Sequence, residues 1–333
     1  MARIKDVAEL AGVNRSTVSR IINGEGKFKE ETRQKVEQAM KALNYRPSAI
    51  ARSLATSSTN MVGLLVTYYT GGFFGALMDE VQTELDQHKK FLITAQGHHS
   101  AEGEKEAIQR FNDLRCEGYV LHSRYLSDQE LVALSQLPTP FVLLDRFVPG
   151  LEERCITFDH AKASRIGVEH LLSCGHVNIG CIAGPSHRTN SQLRKKGYMD
   201  AMRTADIVVQ DSWCVEGDYG RDSGYQAVKR LLSSAPELTA IFSCSEEMTV
   251  GALQYLHESG IAVPQQISIV SFDSIDRCLE LYPTVTAVHF PISEMARAAA
   301  LQTKRLISKN DVAPLPRFEP QLRVRQSQKN ISE

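Results

Sequence analysis

The spacing of apolar residues divides the chain into two parts near residue 60. Up to residue 45, apolar side chains recur at helical intervals and predict helices at Ile4–Ala11, Arg15–Ile22 and about Glu30–Leu43. From Asn60 onward, short apolar runs alternate with amphipathic stretches of helical period. The runs that predict strands are Met61–Thr67, Phe91–Ala95, Tyr119–His122, Phe141–Leu144, Val177–Ala183, Thr239–Ser243 and Ile267–Phe272.

Strands that alternate with helices are typical of parallel sheets built from right-handed β-α-β units. About ten strands, the number this rhythm implies, are too many for one comfortable open sheet. We therefore predict a small all-α head at residues 1–45, a linker at residues 46–59 and an α/β body at residues 60–333. In the body, two doubly wound parallel-sheet lobes should face each other across a cleft.

The composition is that of a soluble globular protein, with 42% hydrophobic and 23% charged residues. No apolar run is long enough to span a membrane, and the N-terminus lacks the apolar core of a signal peptide, so we expect a cytoplasmic protein without a membrane partner. The seven cysteines include no C-x-x-C pair, which favours reduced thiols over disulfides or a zinc finger.

Charge is distributed unevenly between the two parts. Residues 1–60 hold eleven Lys or Arg against six Asp or Glu, a net charge of +5, and the remaining residues carry −6. A basic head on an acidic body is typical of a nucleic-acid-binding module joined to a regulatory or catalytic domain.

Several classes of enzyme are disfavoured by missing motifs. The turn after the first strand lacks the G-x-G-x-x-G spacing, and the chain has no G-x-x-x-x-G-K-[ST], G-x-S-x-G or H-E-x-x-H motif. The pair His98-His99 has no further ligands at metal spacing. We therefore expect neither catalysis nor a cofactor or metal ion.

The head contains the pattern of a helix-turn-helix between Ile4 and Asn23. Gly12 can end the first helix in the left-handed conformation, and Asn14 can cap the second. The buried stripe of the second helix should be Val18, Ile21 and Ile22, which leaves the opposite face to Arg15, Ser16, Ser19 and Arg20. Guanidinium and hydroxyl groups on one exposed face suit the major groove of DNA, although an ordinary three-helix bundle with a solvated face remains the alternative.

At these residues the sequence resembles the LacI/GalR family of bacterial repressors. The resemblance rests on the run Ile4–Asn23, on Tyr45-Arg-Pro47 and on Ala51-Arg-Ser-Leu-Ala55. It continues through the body in Val62-Gly-Leu-Leu-Val66, Gly180-Cys-Ile-Ala-Gly184, Arg194-Lys-Lys-Gly-Tyr198 and Ile267-Ser-Ile-Val-Ser-Phe-Asp273. Within the family, Leu144-Asp-Arg-Phe-Val-Pro-Gly150 is similar to the galactose and aryl-β-glucoside repressors.

The resemblance implies a regulator that binds double-stranded operator DNA as a homodimer. The chain stops about ten residues after Arg323-Val-Arg325, without the extra tail by which some members form tetramers. Leu54 matches the family's hinge leucine, which inserts into the minor groove. It lies in a short segment, initiated by Pro47, whose predicted helix is only marginally stable alone and can become ordered when it binds DNA. The implied DNA-binding residues are Arg15, Ser16, Thr17, Ser19, Arg20, Asn23, Ala51 and Leu54.

The body resembles periplasmic sugar-binding proteins, which implies a small sugar effector between the lobes. The lobes would comprise about 60–159 with 288–317, and about 160–287 with 318–326. The implied effector-binding residues are Phe73, Phe74, Arg146, Asp159, Arg194, Tyr219, Ser245 and Asp273. The sequence departs from the family pattern at Gly71-Gly72, Ser245-Glu246 and Ser274. The identity of the sugar therefore stays open: it is galactose, a β-glucoside or another saccharide, and it can be phosphorylated.

The function that these expectations favour is a repressor of a sugar-utilisation operon, released from its operator when the sugar binds. A member of the same family that requires a corepressor is the first alternative. The second is a cytoplasmic sugar-binding or sugar-modifying protein whose head contacts only proteins.

Overall fold

The computed structural model describes residues 2–23, 26–45, 58–309 and 314–332. Its contacts divide the chain into two compact units, residues 1–61 with 115–117 and residues 62–114 with 118–333. Residues 46–57 of the predicted linker, with Ala51 and Leu54, lie outside the described residues.

The head consists of three helices, α1 (Ile4–Ala11), α2 (Arg15–Ile22) and α3 (Glu30–Ala42), as the apolar spacing predicts. Val18 is fully buried in the core of the head, and Ile21 and Ile22 pack against that core. Gly12 ends α1 with a left-handed φ of 65°, as expected. Asn14 occupies the N-cap position of α2, but its side chain makes no capping hydrogen bond, so the prediction for its side chain is wrong.

The body contains eleven strands in its described residues, and they form two sheets. The first sheet has the order β2-β1-β3-β4-β5 and the second the order β11-β10-β9-β8-β6-β7. The strands are β1 (Met61–Val66), β2 (Phe91–Gln96), β3 (Gly118–Leu121), β4 (Phe141–Leu144), β5 (Cys155–Ile156), β6 (Ile179–Ala183), β7 (Cys214–Glu216), β8 (Ala240–Ser243), β9 (Ser268–Asp273), β10 (Thr286–His289) and β11 (Gln321–Arg323).

Helices cover both sheets. They are α4 (Gly72–Gln87), α5 (Ala101–Asp113), α6 (Asp128–Ser135), α7 (His160–Ser173), α8 (Thr189–Thr204), α9 (Arg221–Ser234), α10 (Glu246–Glu258), α11 (Arg277–Glu280) and α12 (Ile292–Ile307). The late helix α12 returns to the first sheet, where it packs against α4, β3 and β4. The chain therefore passes between the two sheets more than once.

The predicted parallel pairing is confirmed through most of the body. In the first sheet β1 pairs with β3 in parallel, and in the second sheet β8 pairs with β9 in the same way. The edge strand β11 differs, because it pairs with β10 antiparallel. The apolar pattern did not locate β5, β7 or β10. Strands β5 and β7 have two and three residues, which are too few to show a period, and β10 contains only two apolar residues, Ala287 and Val288.

Candidate functional site

A cavity of about 460 Å³ lies between the carboxyl ends of strands from both sheets. Parallel strands bring their carboxyl ends to one edge of a sheet, so the loops that follow them converge on the same space. The first sheet contributes Tyr68, residues 70–74, His122, Arg124 and Asp145. The second contributes Arg188, Asn190, Arg194, residues 218–221, residues 245–247, residues 272–274 and Phe290.

Aromatic rings form part of the cavity wall. Phe73, at the start of α4, stacks on Phe290 with 5.8 Å between ring centroids and an interplanar angle of 5°. Phe74 packs edge-on against Phe73 at 5.0 Å. These rings offer the apolar surface that the faces of a sugar ring can contact.

Arg194 is a buried guanidinium on α8, only 6% exposed. Its Nε donates to Nδ1 of His160 at 3.1 Å, and its Nη1 donates to the carbonyl oxygen of Cys244. Its Cζ lies 3.9 Å from the centroid of the Phe272 ring, within the range of a cation–π contact. The side chain is therefore held in one orientation at the cavity wall.

His160 connects Arg194 to the other lobe. Its Nε2 lies 2.6 Å from Oδ1 of Asp145, which follows β4 of the first sheet. Because Arg194 Nε can only donate, Nδ1 of His160 accepts, and the hydrogen of a neutral ring is on Nε2 and donates to Asp145. Burial lowers the pKa of His160, against the opposing charge of Asp145, which agrees with a neutral ring.

Asp145 is the acceptor at the centre of this network. Besides His160, it accepts from Nη2 of Arg124 at 2.5 Å, and its backbone carbonyl accepts from Nη1 of the same guanidinium at 2.6 Å. Burial opposes ionisation of Asp145, but its electrostatic interaction and hydrogen bond with His160, together with the charge of Arg124, hold its pKa well below the usual range. A buried ionised carboxylate thus accepts hydrogen bonds from both lobes.

Asp273 ends β9 and is 1% exposed. Its Oδ2 lies 3.2 Å from Nη2 of Arg325, and its Oδ1 accepts weakly from the backbone N–H of Cys278 at 3.5 Å. Asp273 therefore reaches the cavity as half of an ion pair rather than as a free carboxylate.

Glu246 and Ser274, two of the positions that depart from the family pattern, contact each other. Glu246 accepts from the backbone N–H of Ser274 at 2.6 Å and from its hydroxyl at 2.8 Å. Burial raises the pKa of Glu246 to about 7, although these hydrogen bonds oppose the shift. The neighbouring Ser245 accepts from the backbone N–H of Met248 at 3.2 Å and so caps α10.

The structure brings most of the expected effector-binding residues together. Those that line the cavity are Phe73, Phe74, Arg194, Tyr219, Ser245 and Asp273. Arg146 is not among the lining residues, because its Nη2 bonds Asp128 at 2.7 Å. Asp159 is also absent from the lining, since it caps α7 by accepting from the backbone N–H of Lys162 at 2.8 Å.

Sequence reasoning missed several polar groups of the cavity. They are His122, Arg124, Asp145, Arg188, Asn190, Asp218 and Glu246. A signal was present, because each follows the carboxyl end of a strand, but it became specific only when the strand order was known. In the parts of the chain that the structure describes, no group of three His, Cys, Asp or Glu is placed to hold a metal ion.

On the head, three of the four residues predicted for the exposed face of α2 are exposed, and the fourth, Ser19, is half-buried. Arg15, Ser16 and Arg20 are exposed. Thr17, Ser19 and Asn23 are half-buried. The Cζ of Arg20 lies 5.3 Å from the ring centroid of Phe28, so this ring helps to position the guanidinium. Among the described residues, Arg20 forms no ion pair within 4.0 Å.

Two family models match the chain. The model for bacterial regulatory proteins of the lacI family matches residues 3–48, and the model for a periplasmic binding protein-like domain matches residues 168–328. No helix among the described residues is long and apolar enough to cross a membrane.

Curated relatives cover almost the whole chain. The HTH-type transcriptional regulator GalR of Escherichia coli (strain K12) is 35% identical over 331 residues, which are 98% of this chain and 96% of that protein. The HTH-type transcriptional regulator AscG of the same strain is 32% identical over 330 residues, 98% of each chain. These relatives are transcriptional regulators rather than enzymes, in agreement with the expectation from the missing catalytic motifs.

Solved structures agree. The lac repressor dimer bound to operator and an anti-inducer superposes with a TM-score of 0.87 at 26% identity, over 98% of this chain and 99% of that one. A complex of the transcriptional regulator CelR with cellobiose gives a TM-score of 0.72 at 28% identity, over 98% of this chain and 100% of that one.

Proposed function

Because the chain belongs to the LacI family of DNA-binding transcriptional regulators, we propose that it represses a sugar-utilisation operon and leaves its operator when a small sugar binds in the cavity. The observation that carries the proposal is the hydrogen bond between Asp145 and His160, which joins the two lobes beside the cavity. A ligand that contacts both lobes favours one lobe orientation over others. It changes operator affinity by the difference in its affinity for the two orientations.

The division of labour follows the proposed domains. Residues 1–45 bind operator DNA through α2, residues 46–59 form the hinge, and residues 60–333 bind the effector and dimerise. The relatives support this division, since CelR is described in complex with cellobiose and the lac repressor as a dimer bound to operator. In the body, the aromatic wall and the positioned guanidinium of Arg194 support a saccharide as the ligand.

The test begins with selection of an operator from random DNA by the full-length protein. Thermal-shift screening of mono- and disaccharides then identifies a ligand, and operator affinity is measured by fluorescence anisotropy with and without it. We expect the sugar to weaken operator binding. A sugar that strengthens operator binding would establish the corepressor alternative, and failure to select any DNA would refute the regulatory function.

Variants connect the response to the cavity. Arg194→Met should bind the operator with nearly unchanged affinity but require at least tenfold more sugar for release, since hydrogen bonds to charged groups contribute about 1.5–3 kcal/mol. Arg165→Met is the control, because that side chain lies about half-exposed on α7 and pairs with Glu169 at 3.6 Å. An unchanged titration midpoint in Arg194→Met would show that the sugar binds elsewhere.

A further inference from the structure

Three buried polar atoms in the cavity wall have no hydrogen-bond partner among the described residues. They are Nε of Arg188, Oδ1 of Asn190 and the hydroxyl of Tyr219. Buried polar atoms in folded proteins nearly always have a partner, and leaving one unpaired is destabilising. Their clustering in one cavity indicates a ligand that supplies an acceptor for Arg188 and a donor for Asn190.

Two guanidinium groups lie near the same aromatic ring in this cluster. The Cζ atoms of Arg188 and Arg194 lie 5.8 and 5.7 Å from the centroid of the Tyr219 ring. No ion pair within 4.0 Å is recorded for either guanidinium in the described part of the chain; the partners of Arg194 are a neutral imidazole and a backbone carbonyl. A buried positive charge, that of Arg194, and a half-buried one, that of Arg188, are thus without a direct counter-charge.

The carboxylates of the cavity do not neutralise these two charges by direct contact. Asp145 is bonded to Arg124 and His160, and Asp273 is paired with Arg325. Asp218 accepts from the backbone N–H of Gly220 at 2.7 Å; the charge of Arg188 helps to lower its pKa, but the two form no ion pair within 4.0 Å. Glu246 is bonded to Ser274, and Glu247 is paired with Arg277 at 3.3 Å. Each of these carboxylates already has partners, so a counter-charge in contact with the two guanidinium groups has to come from a bound molecule.

We infer that the effector is an anionic saccharide, a phosphate ester or a uronate, whose charged group binds between Arg188 and Arg194 beside Tyr219. This inference rests on the proposed function, since it names the chemical class of the same effector. A guanidinium donates two parallel hydrogen bonds to an oxyanion, and the hydroxyl of Tyr219 can donate a further one. The free Oδ1 of Asn190 can accept a hydrogen bond from a hydroxyl of the sugar ring.

The test measures the binding of matched ligands to the full-length protein by titration calorimetry. The pairs are galactose with galactose 6-phosphate and with galacturonate, and glucose with glucose 6-phosphate and with glucuronate. Inorganic phosphate is titrated separately. We expect an anionic member to bind at least tenfold more tightly than its neutral partner, and the phosphate and uronate arms identify the kind of anion.

Variants locate the anion. Arg188→Met should remove the advantage of the anionic member, Arg188→Lys should restore part of it, and Arg203→Met should leave it unchanged. Arg203 lies on the same helix as Arg194 but is exposed and pairs with Asp200 at 2.5 Å. Unchanged thermal midpoints of the variants without ligand exclude misfolding as the cause of a loss.

Four results would overturn the inference. They are equal or tighter binding of the neutral sugar in every pair, no binding of any anionic saccharide, an anionic advantage that survives Arg188→Met, and binding of inorganic phosphate as tight as that of the sugar phosphate. A neutral sugar that releases the operator would preserve the proposed function while refuting the anionic class. Binding of an anionic saccharide without any effect on operator affinity would support the anionic class while refuting the proposed function.

Discussion

Substitutions of His160 can separate the two hydrogen bonds that its ring makes between the lobes. His160→Asn places an amide oxygen near the position of Nδ1 and keeps the acceptor for Arg194, but it loses the donor to Asp145. His160→Gln reaches the position of Nε2 and keeps the donor to Asp145, but it loses the acceptor for Arg194. The pair of variants therefore tests each bond by itself.

The magnitude follows from the charge of the partners. Asp145 and Arg194 are both buried, and a hydrogen bond to a charged group contributes about 1.5–3 kcal/mol. Each variant should lower the free energy of unfolding by about that amount, and His160→Leu, which loses both bonds, by about 3–6 kcal/mol. Of the Asn and Gln variants, only the Gln variant releases Nε of Arg194, so it should bind the effector at least tenfold more weakly, as should His160→Leu, whereas the Asn variant should bind like wild type.

Stability can be measured by urea unfolding with the fluorescence of Trp213, the single tryptophan, which is 3% exposed. Effector affinity is measured by calorimetry with the sugar that the thermal-shift screen identifies. If the Asn and Gln variants bind that sugar equally well, Arg194 is not positioned through His160 and the reasoning is refuted.

The same ring predicts a dependence on pH. Burial lowers the pKa of His160 below its ordinary value of 6.5, so the unfolded chain takes up the proton first as the pH falls. The stability contributed by the neutral ring is complete above pH 6.5 and is lost as the pH falls through the lowered pKa. The difference in unfolding free energy between wild type and His160→Gln should therefore shrink on acidification, and a constant difference would contradict a neutral His160.

Three further predictions concern other parts of the molecule. Arg20→Ala should weaken specific operator binding by about 1–3 kcal/mol in an anisotropy titration, whereas the control Arg33→Ala on α3 should leave it unchanged. If both variants lose the same affinity, α2 does not read the bases. Because the pKa of Glu246 is raised from 4.5 to about 7, its protonated form stabilises the fold most below pH 4.5 and that stability is lost as the pH rises through about 7. Over that interval the unfolding free energy of wild type should fall by about 3 kcal/mol more than that of Glu246→Gln, and parallel pH profiles would refute the shift. Gly251→Ala should destabilise the protein by about 1–3 kcal/mol or more, because a Cβ there would lie 1.9 Å from a backbone oxygen of α9. The control is Gly75→Ala on α4, where a Cβ would have no atom within 4 Å, so this variant should be neutral or stabilising. Thermal unfolding measures both.

The apolar spacing alone determined the division into an all-α head and an α/β body, because burying one face of a helix or strand imposes a period on the local sequence. It placed α1 and α2 at their observed bounds, since each has a strong apolar stripe. It did not locate the two-residue strand β5 or the antiparallel pairing of β11, because strand order depends on contacts between distant segments.

For the candidate site, local sequence and family pattern identified Phe73 and Arg194 as cavity residues, because both lie shortly after a strand. They could not show that Asp145 and His160 meet between the lobes, since that contact exists only after the two sheets are placed face to face. Nor could they show that Nε of Arg188 has no hydrogen-bond partner among the described residues, because the partners of a buried polar group are set by every element packed around it. Local periodicity thus determined the helices and strands and the end of each strand where polar groups gather. Only the tertiary structure decided which of those polar groups pair with each other and which remain available to a ligand.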